Sequence, residues 1–276
     1  MPEIAQVVRV EPTRGWARLQ LRELWHYRGL LYFLAWRDVK VKYKQTTLGI
    51  SWAIIQPVLN TLIFTIVFGR FIGVRTPGNI AYEVFAFAGM LMWGFFAGAL
   101  NAAASSVIGN ANLISKVYFP RLIAPFSGVA GALPDFAIGF VLLLLAMPFY
   151  GIFPGAAILL VPLFVLLAIV AALGAGTWLA ALTARYRDFR YVLPFLVQFW
   201  FFASPIAYSS EHITQPWRTL YGLNPMAGVI EGFRWAVLGR QPPAAMLLLS
   251  VAVAVSFLLS GLLYFRRVEK TLADLI

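Results

Sequence analysis

From Leu48 to Gly69 the chain carries no charged residue, a stretch that reaches about 33 Å as an α-helix and matches a bilayer's hydrocarbon core. Just before it, residues 18–47 mix Leu19, Leu24, Trp25, Leu31, Leu34 and Trp36 with Arg18, Arg22, Arg28, Arg37, Lys40, Lys42 and Lys44. The apolar centre of that segment, Gly29–Trp36, is about 12 Å long as a helix and too short to cross. The pattern predicts an amphipathic helix over 18–47 lying on a membrane surface, preceded by a polar, poorly ordered 1–17.

The same reading continues along the chain. A second span, 84–109, lies inside the uncharged run Val84–Ser115, and a third covers 122–149. The uncharged run Phe136–Ala184 would be about 73 Å long as one helix, so the turn residues from Pro148 to Gly155 must divide it, with a fourth span at 154–183. A fifth span is expected at 191–210 and a sixth at 243–265, followed by a tail, 266–276. The predicted fold is an all-α polytopic membrane protein with six transmembrane helices and short external re-entrant helices between the last two. Six crossings put both termini on one side. Of the 22 lysines and arginines, 17 fall on that side, so the positive-inside rule makes both termini cytoplasmic.

Composition agrees. The 276 residues are 61% hydrophobic and 12% charged, about half the charged fraction of a soluble domain, with mean hydropathy +0.79. Most of the net charge of +11 sits at one membrane face, and it does not by itself imply nucleic acid. The first 15 residues show no apolar signal-peptide core. Without cysteine there is no disulfide or thiolate chemistry, and no GxxxxGK[ST], HExxH or GxSxG motif occurs. The two histidines, His26 and His212, are expected on opposite faces, which excludes a shared metal site. No catalytic residue is expected; energy for uphill transport must come from a partner or an ion gradient.

Four features are candidates for function. Asp135 is the only charge between Leu122 and Ala184, and an intramembrane carboxylate is costly enough to demand a role. It is either a proton relay or a structural group hydrogen-bonded to another helix, and its isolation from other ionisable groups favours the second. Tyr191, Phe195, Phe199 and Phe202 share one helix face, and Trp52, Gln56, Asn60, Phe64 and Phe68 step by four along the first span. Rings combined with amides suit a sugar, although packing or lipid contact also explains such residues. In the segment 211–242, Asn224-Pro225 is a good helix start, Met226, Ile230, Phe233 and Val237 define an apolar face, and Glu231 and Arg234 form an i,i+3 pair expected at the surface. That helix gates an exit or braces the spans. The link 110–121 is a helix that docks on a partner or a plain loop.

The chain resembles the membrane-spanning permeases of bacterial polysaccharide ABC exporters, a family that includes the O-antigen permease Wzm and the capsule and teichoic-acid permeases. The resemblance covers nearly the whole chain after residue 20. It rests on WRDVKVKYKQTTLGISWAIIQP at 36–57, NLISKVYFPRLIAP at 112–125, Pro134-Asp135, YRDFRYVLP at 186–194, SPIAY at 204–208 and LNPMAGVIEGFR at 223–234.

The resemblance implies a homodimer around a channel in the bacterial inner membrane, carrying a lipid-linked glycan such as O-antigen, capsule or teichoic acid across the bilayer. Two copies of a separate nucleotide-binding subunit would hold the ATP and Mg²⁺, and this chain would bind no cofactor itself. It matches Trp36, Arg37, Asp38, Lys40 and Lys42 to an interface helix, and Asn112, Leu113, Lys116, Tyr118, Phe119, Pro120 and Arg121 to a coupling helix, both facing the ATPase. Asn224, Pro225, Glu231 and Arg234 would belong to external gate helices. A lateral opening between spans one and five would place Trp52, Gln56, Asn60, Phe64, Tyr191, Phe195, Phe199 and Phe202 along the glycan's path. Rival readings are an ABC permease for a drug or small lipophile and a proton-coupled transporter using Asp135.

Overall fold

The computed structural model describes residues 21–44, 49, 51–186, 188–239 and 244–275. The expected poorly ordered segment 1–17 and the lead-in at 45–48 lie outside these residues. Among them there is no strand. Two helices, α1 (Leu21–His26) and α2 (Arg28–Lys44), precede α3 (Ser51–Phe64), which widens into a π-helical stretch to Phe71. Then come α4 (Tyr82–Gly109), α5 (Ala111–Lys116), α6 (Ile123–Gly131), α7 (Leu133–Ala146), α8 (Val161–Arg185), α9 (Phe189–Phe202), α10 (Trp217–Leu220), α11 (Pro225–Leu238) and α12 (Ala244–Leu275).

Among the described residues, five helical segments are long and apolar enough to cross a bilayer: Ser51–Phe71, Tyr82–Gly109, Ile123–Tyr150, Ala156–Arg185 and Ala244–Glu269. The third bends at Ala132, between α6 and α7, where Pro134 removes a backbone donor. The expected fifth span, 191–210, is not among these five. Its helix, α9, is 14 residues long and stops at Phe202 rather than running to Ser210. Ser204 precedes Pro205, and a residue before proline is steered away from helical geometry, so 203–209 folds as an irregular strap.

At the centre stands α4, packed against α3, α6, α7, α8 and α11. Met92, Phe96 and Leu100 on α4 join Phe164 and Ala168 of α8 and Ile230 and Phe233 of α11 in one core. Helices in lipid gain little from hydrophobic exclusion, so close backbone approach carries the packing. A Cβ on Gly128 would sit 2.9 Å from the Ala102 carbonyl carbon, and one on Gly174 2.6 Å from the Leu258 nitrogen. Gly261 meets the Gly174 carbonyl from the other side, so α8 and α12 cross in backbone contact. By contrast, α3 and α9 leave most of their surface uncovered.

Candidate coupling and conduction sites

The basic end of the bundle holds the first site. Leu34 of α2 is fully buried against Phe119 and Ile123, with Leu30, Leu31, Leu113 and Ile114 around them. This seats α2 on both α5 and α6. Polar contacts extend the seat: Arg37 donates to Asp38 at 2.9 and 2.7 Å and to the Asn110 amide oxygen at 2.8 Å, just ahead of α5. Asn110 in turn donates to the Ser106 carbonyl at 2.8 Å.

Further along α2, the Lys42 ammonium and the Tyr43 hydroxyl both donate to Asp135, one to each carboxylate oxygen. Burial, and then the hydrogen bond to Asp135, push the Tyr43 phenol well above its ordinary range, so it remains a donor. Asp135 is thus hydrogen-bonded to another helix, α2, through both of its carboxylate oxygens. Between α2, α4 and α6, Lys42 and Asp135 border a half-open cavity of about 380 Å³ whose lining also includes Arg37, Asn110, Gly98, Gly128 and Gly131.

The outward side of this unit is exposed. Trp36 stacks with Tyr32 at 6.5 Å and lies under the Lys40 ammonium at 5.6 Å, while Asn112, Lys116 and Tyr118 face away from the chain. Leu113 is half-buried, and Phe119 and Pro120 are buried. Arg121 departs from its neighbours: its backbone N–H donates to the Glu269 carboxylate at 3.0 Å, and its guanidinium donates to the Glu269 carbonyl. Glu269 also pairs with Arg266 at 3.0 Å. Arg121 is tied to the end of α12 rather than presented outward.

The second group lies along α3 and α9. Trp52, Gln56 and Asn60 are exposed and Phe64 half-buried; Tyr191, Phe195, Phe199 and Phe202 are all exposed. The two helices touch through Phe64 and Phe201, edge to face at 5.7 Å, and Phe201 also meets Trp93 at 5.8 Å. The expected aromatic stripe of α9 thus points away from the core, and its neighbours Trp200 and Phe201 do the packing.

The third group overturns an expectation. Glu231 and Arg234 are buried, with Arg234 only 1% exposed, instead of lying on the surface of α11. The Arg234 guanidinium donates to the carbonyls of Phe85 at 3.2 Å, Pro205 at 2.6 Å and Ile206 at 2.6 Å, and pairs with Glu231 at 3.4 Å. Its carbon lies 3.6 Å from the Phe85 ring centre. Glu231 accepts the Ser210 N–H at 3.1 Å. The strap 203–209 breaks the helical ladder and exposes carbonyls that need donors; a buried arginine supplies them. Asn224 caps α11 by accepting the Met226 N–H at 3.0 Å, accepts the Trp200 indole N–H at 2.8 Å, and donates to the Ala203 carbonyl at 2.8 Å.

The sequence reading passes over Tyr43, Asn110, Trp200, Phe201 and Glu269. Tyr43 and Asn110 lie within the singled-out segments 36–57 and 110–121 without being marked individually, and a lone carboxylate at 135 calls for a counter-charge; nothing local marks Glu269.

Among the described residues no group of acidic or histidine side chains can hold a metal ion. The ABC-2 type transporter family model matches residues 29–238. The chain is 30% identical over 254 residues to the O-antigen export system permease protein RfbA of Myxococcus xanthus, covering 90% of this chain and 96% of that protein. It is 25% identical to a protein of the same name from Klebsiella pneumoniae, over 90% of this chain and 95% of that one. The polysialic acid transport protein KpsM of Escherichia coli is 26% identical over 73% of this chain and 78% of its own length. An all-helical bundle with membrane-crossing helices, aligned almost end to end with such permeases, belongs to the ABC-2 type transporter membrane family.

Proposed function

We propose that this chain is the membrane-spanning subunit of an ABC exporter that carries a lipid-linked polysaccharide from the cytoplasmic side across the bacterial inner membrane. The observation that carries the reading is the 30% identity to an O-antigen export permease across 96% of that protein. The exposed rings and amides of α3 and α9 support it, since stacking faces and hydrogen-bonding groups together fit a glycan. In this reading two copies enclose the channel, and both termini face the cytoplasm with most of the basic residues.

Two copies of a separate ATPase subunit supply the energy and hold the ATP and Mg²⁺. When the ATPase pair closes, the push arrives at the exposed Asn112, Lys116 and Tyr118 and at the outer side of α2. Only contacts that differ between the partner's two states can bias the channel. Asp135, with both oxygens engaged by Lys42 and Tyr43, acts as a tie between helices and not as a proton relay. Deleting the gene tests the reading. Surface polysaccharide should disappear while lipid-linked glycan accumulates on the cytoplasmic side; an unchanged surface polymer would exclude it and favour a small lipophile as substrate.

A further inference from the structure

Three sets of contacts join α2 to α5, α6 and α7. Apolar burial centres on Leu34, with Phe119 and Ile123 beneath it and Leu113 and Ile114 beside it. Arg37 reaches Asn110, the residue from which α5 starts. Lys42 and Tyr43 reach Asp135, past the bend at Ala132. These contacts are spread over the length of α2, from Leu34 to Tyr43, and a helix held at several points along one side cannot swing about any of them. A Cβ on Gly131 would lie 3.9 Å from that of Asp38, so the two backbones run close together midway.

We propose that α2, α5 and α6 move as one rigid lever, pinned to α7 by Asp135. In this scheme Asp135, Lys42 and Tyr43 are positioning residues that carry a push on α2 or α5 past the Ala132 bend into the outer half of the third span. The physical reason for the pin is the bend itself. At Ala132 the helix loses the stiffness of its hydrogen-bond ladder, and motion entering through α6 would dissipate there. A charge-assisted contact from α2 to the first turn of α7 bridges the weak point. The Lys42–Asp135 pair alone is too exposed to hold firmly, with the lysine side chain 58% accessible, and the Tyr43 hydrogen bond to the other carboxylate oxygen is what makes the contact two-pronged. The proposal rests on the exporter reading for its substrate, but the movement it describes does not depend on what is carried.

The chain has no cysteine, so a reporter bridge is free of background. The 3.9 Å Cβ separation suits a disulfide between Asp38→Cys and Gly131→Cys. Inverted membrane vesicles containing this double variant with its native ATPase would be assayed reduced and oxidised, for ATP turnover and for glycan uptake. A rigid lever predicts that oxidation leaves at least half of the reduced rate in both assays. A tenfold loss on oxidation, recovered on reduction, would mean that α2 and α6 must separate and would overturn the proposal.

The pin is tested in parallel. Lys42→Asp should cut glycan moved per ATP hydrolysed about tenfold at unchanged protein level, and Lys42→Asp with Asp135→Lys should recover most of it. Equal defects in the single and exchanged variants would remove the pin, and this arm decides alone if the reduced cysteine variant is inactive. If wild-type vesicles turn over ATP but take up no glycan, the substrate reading fails. The ATP turnover of the bridged variant then still decides between one lever and two.

Discussion

Gly89 of α4 leaves the space that the Arg234 guanidinium of α11 fills: a Cβ at position 89 would collide with the guanidinium nitrogen and come within 3.0 Å of its carbon. The absence of a side chain on one helix thus permits a buried cation on another, and that cation holds the carbonyls of the strap following α9. Gly89→Ala should therefore destabilise the protein by about 1–3 kcal/mol through overpacking. Arg234→Met should cost about 3–5 kcal/mol, because Glu231 and the strap carbonyls lose their donor together. Thermal unfolding of the purified protein in mild detergent checks both. An unchanged Tm for Arg234→Met would mean that the strap does not need the arginine.

Asn224 carries three roles that substitutions can separate. Asn224→Ala removes the cap, worth about 1 kcal/mol, and leaves the Trp200 indole without its acceptor. Asn224→Asp keeps both acceptor roles and loses the amide's donation to the Ser204 hydroxyl and to the Ala203 carbonyl, which still receives the Tyr221 hydroxyl at 2.9 Å. The alanine variant should have the lower Tm. The reverse order would make the amide donor the dominant contact.

Lys116 and Arg121, five residues apart in the segment proposed to couple to the ATPase, should behave differently. Lys116 is exposed, so Lys116→Glu should uncouple ATP hydrolysis from export with no change in Tm. Arg121→Glu would face the Glu269 carboxylate and should also lower the Tm. Parallel measurement of Tm and of glycan exported per ATP separates the two. Loss of stability in the Lys116 variant would contradict its outward placement.

Phe199 and Phe202 are exposed by 75% and 63%, so truncating them removes little packing within the chain. The double change to alanine should leave the amount of folded protein unaltered and slow glycan export several-fold. A parallel fall in protein abundance would make them packing residues between subunits.

The helices are legible in the sequence because spans of uncharged residues carry their own length and the basic residues mark one end. Asp135 is legible too, since a lone carboxylate in an apolar segment requires a partner. Which of Lys40, Lys42 and Lys44 supplies it depends on how α2 folds back along α6, and the linear pattern does not contain that. Glu231 and Arg234 read as surface residues because charges are seldom buried. Their burial follows from carbonyls freed by the break after Phe202, which the Ser204-Pro205 step announces but an unbroken apolar run conceals. The aromatic stripe on α9 follows from helical spacing, whereas the choice of Phe201 as the contact to α3 depends on how two exposed helices converge.

The most direct test of the exporter reading is to purify the tagged chain from its own membranes in mild detergent and identify what accompanies it by mass spectrometry. The account predicts a P-loop ATPase in near-stoichiometric amount. A lone oligomer of this chain, whose transport collapses with the proton gradient and continues without ATP, would contradict it.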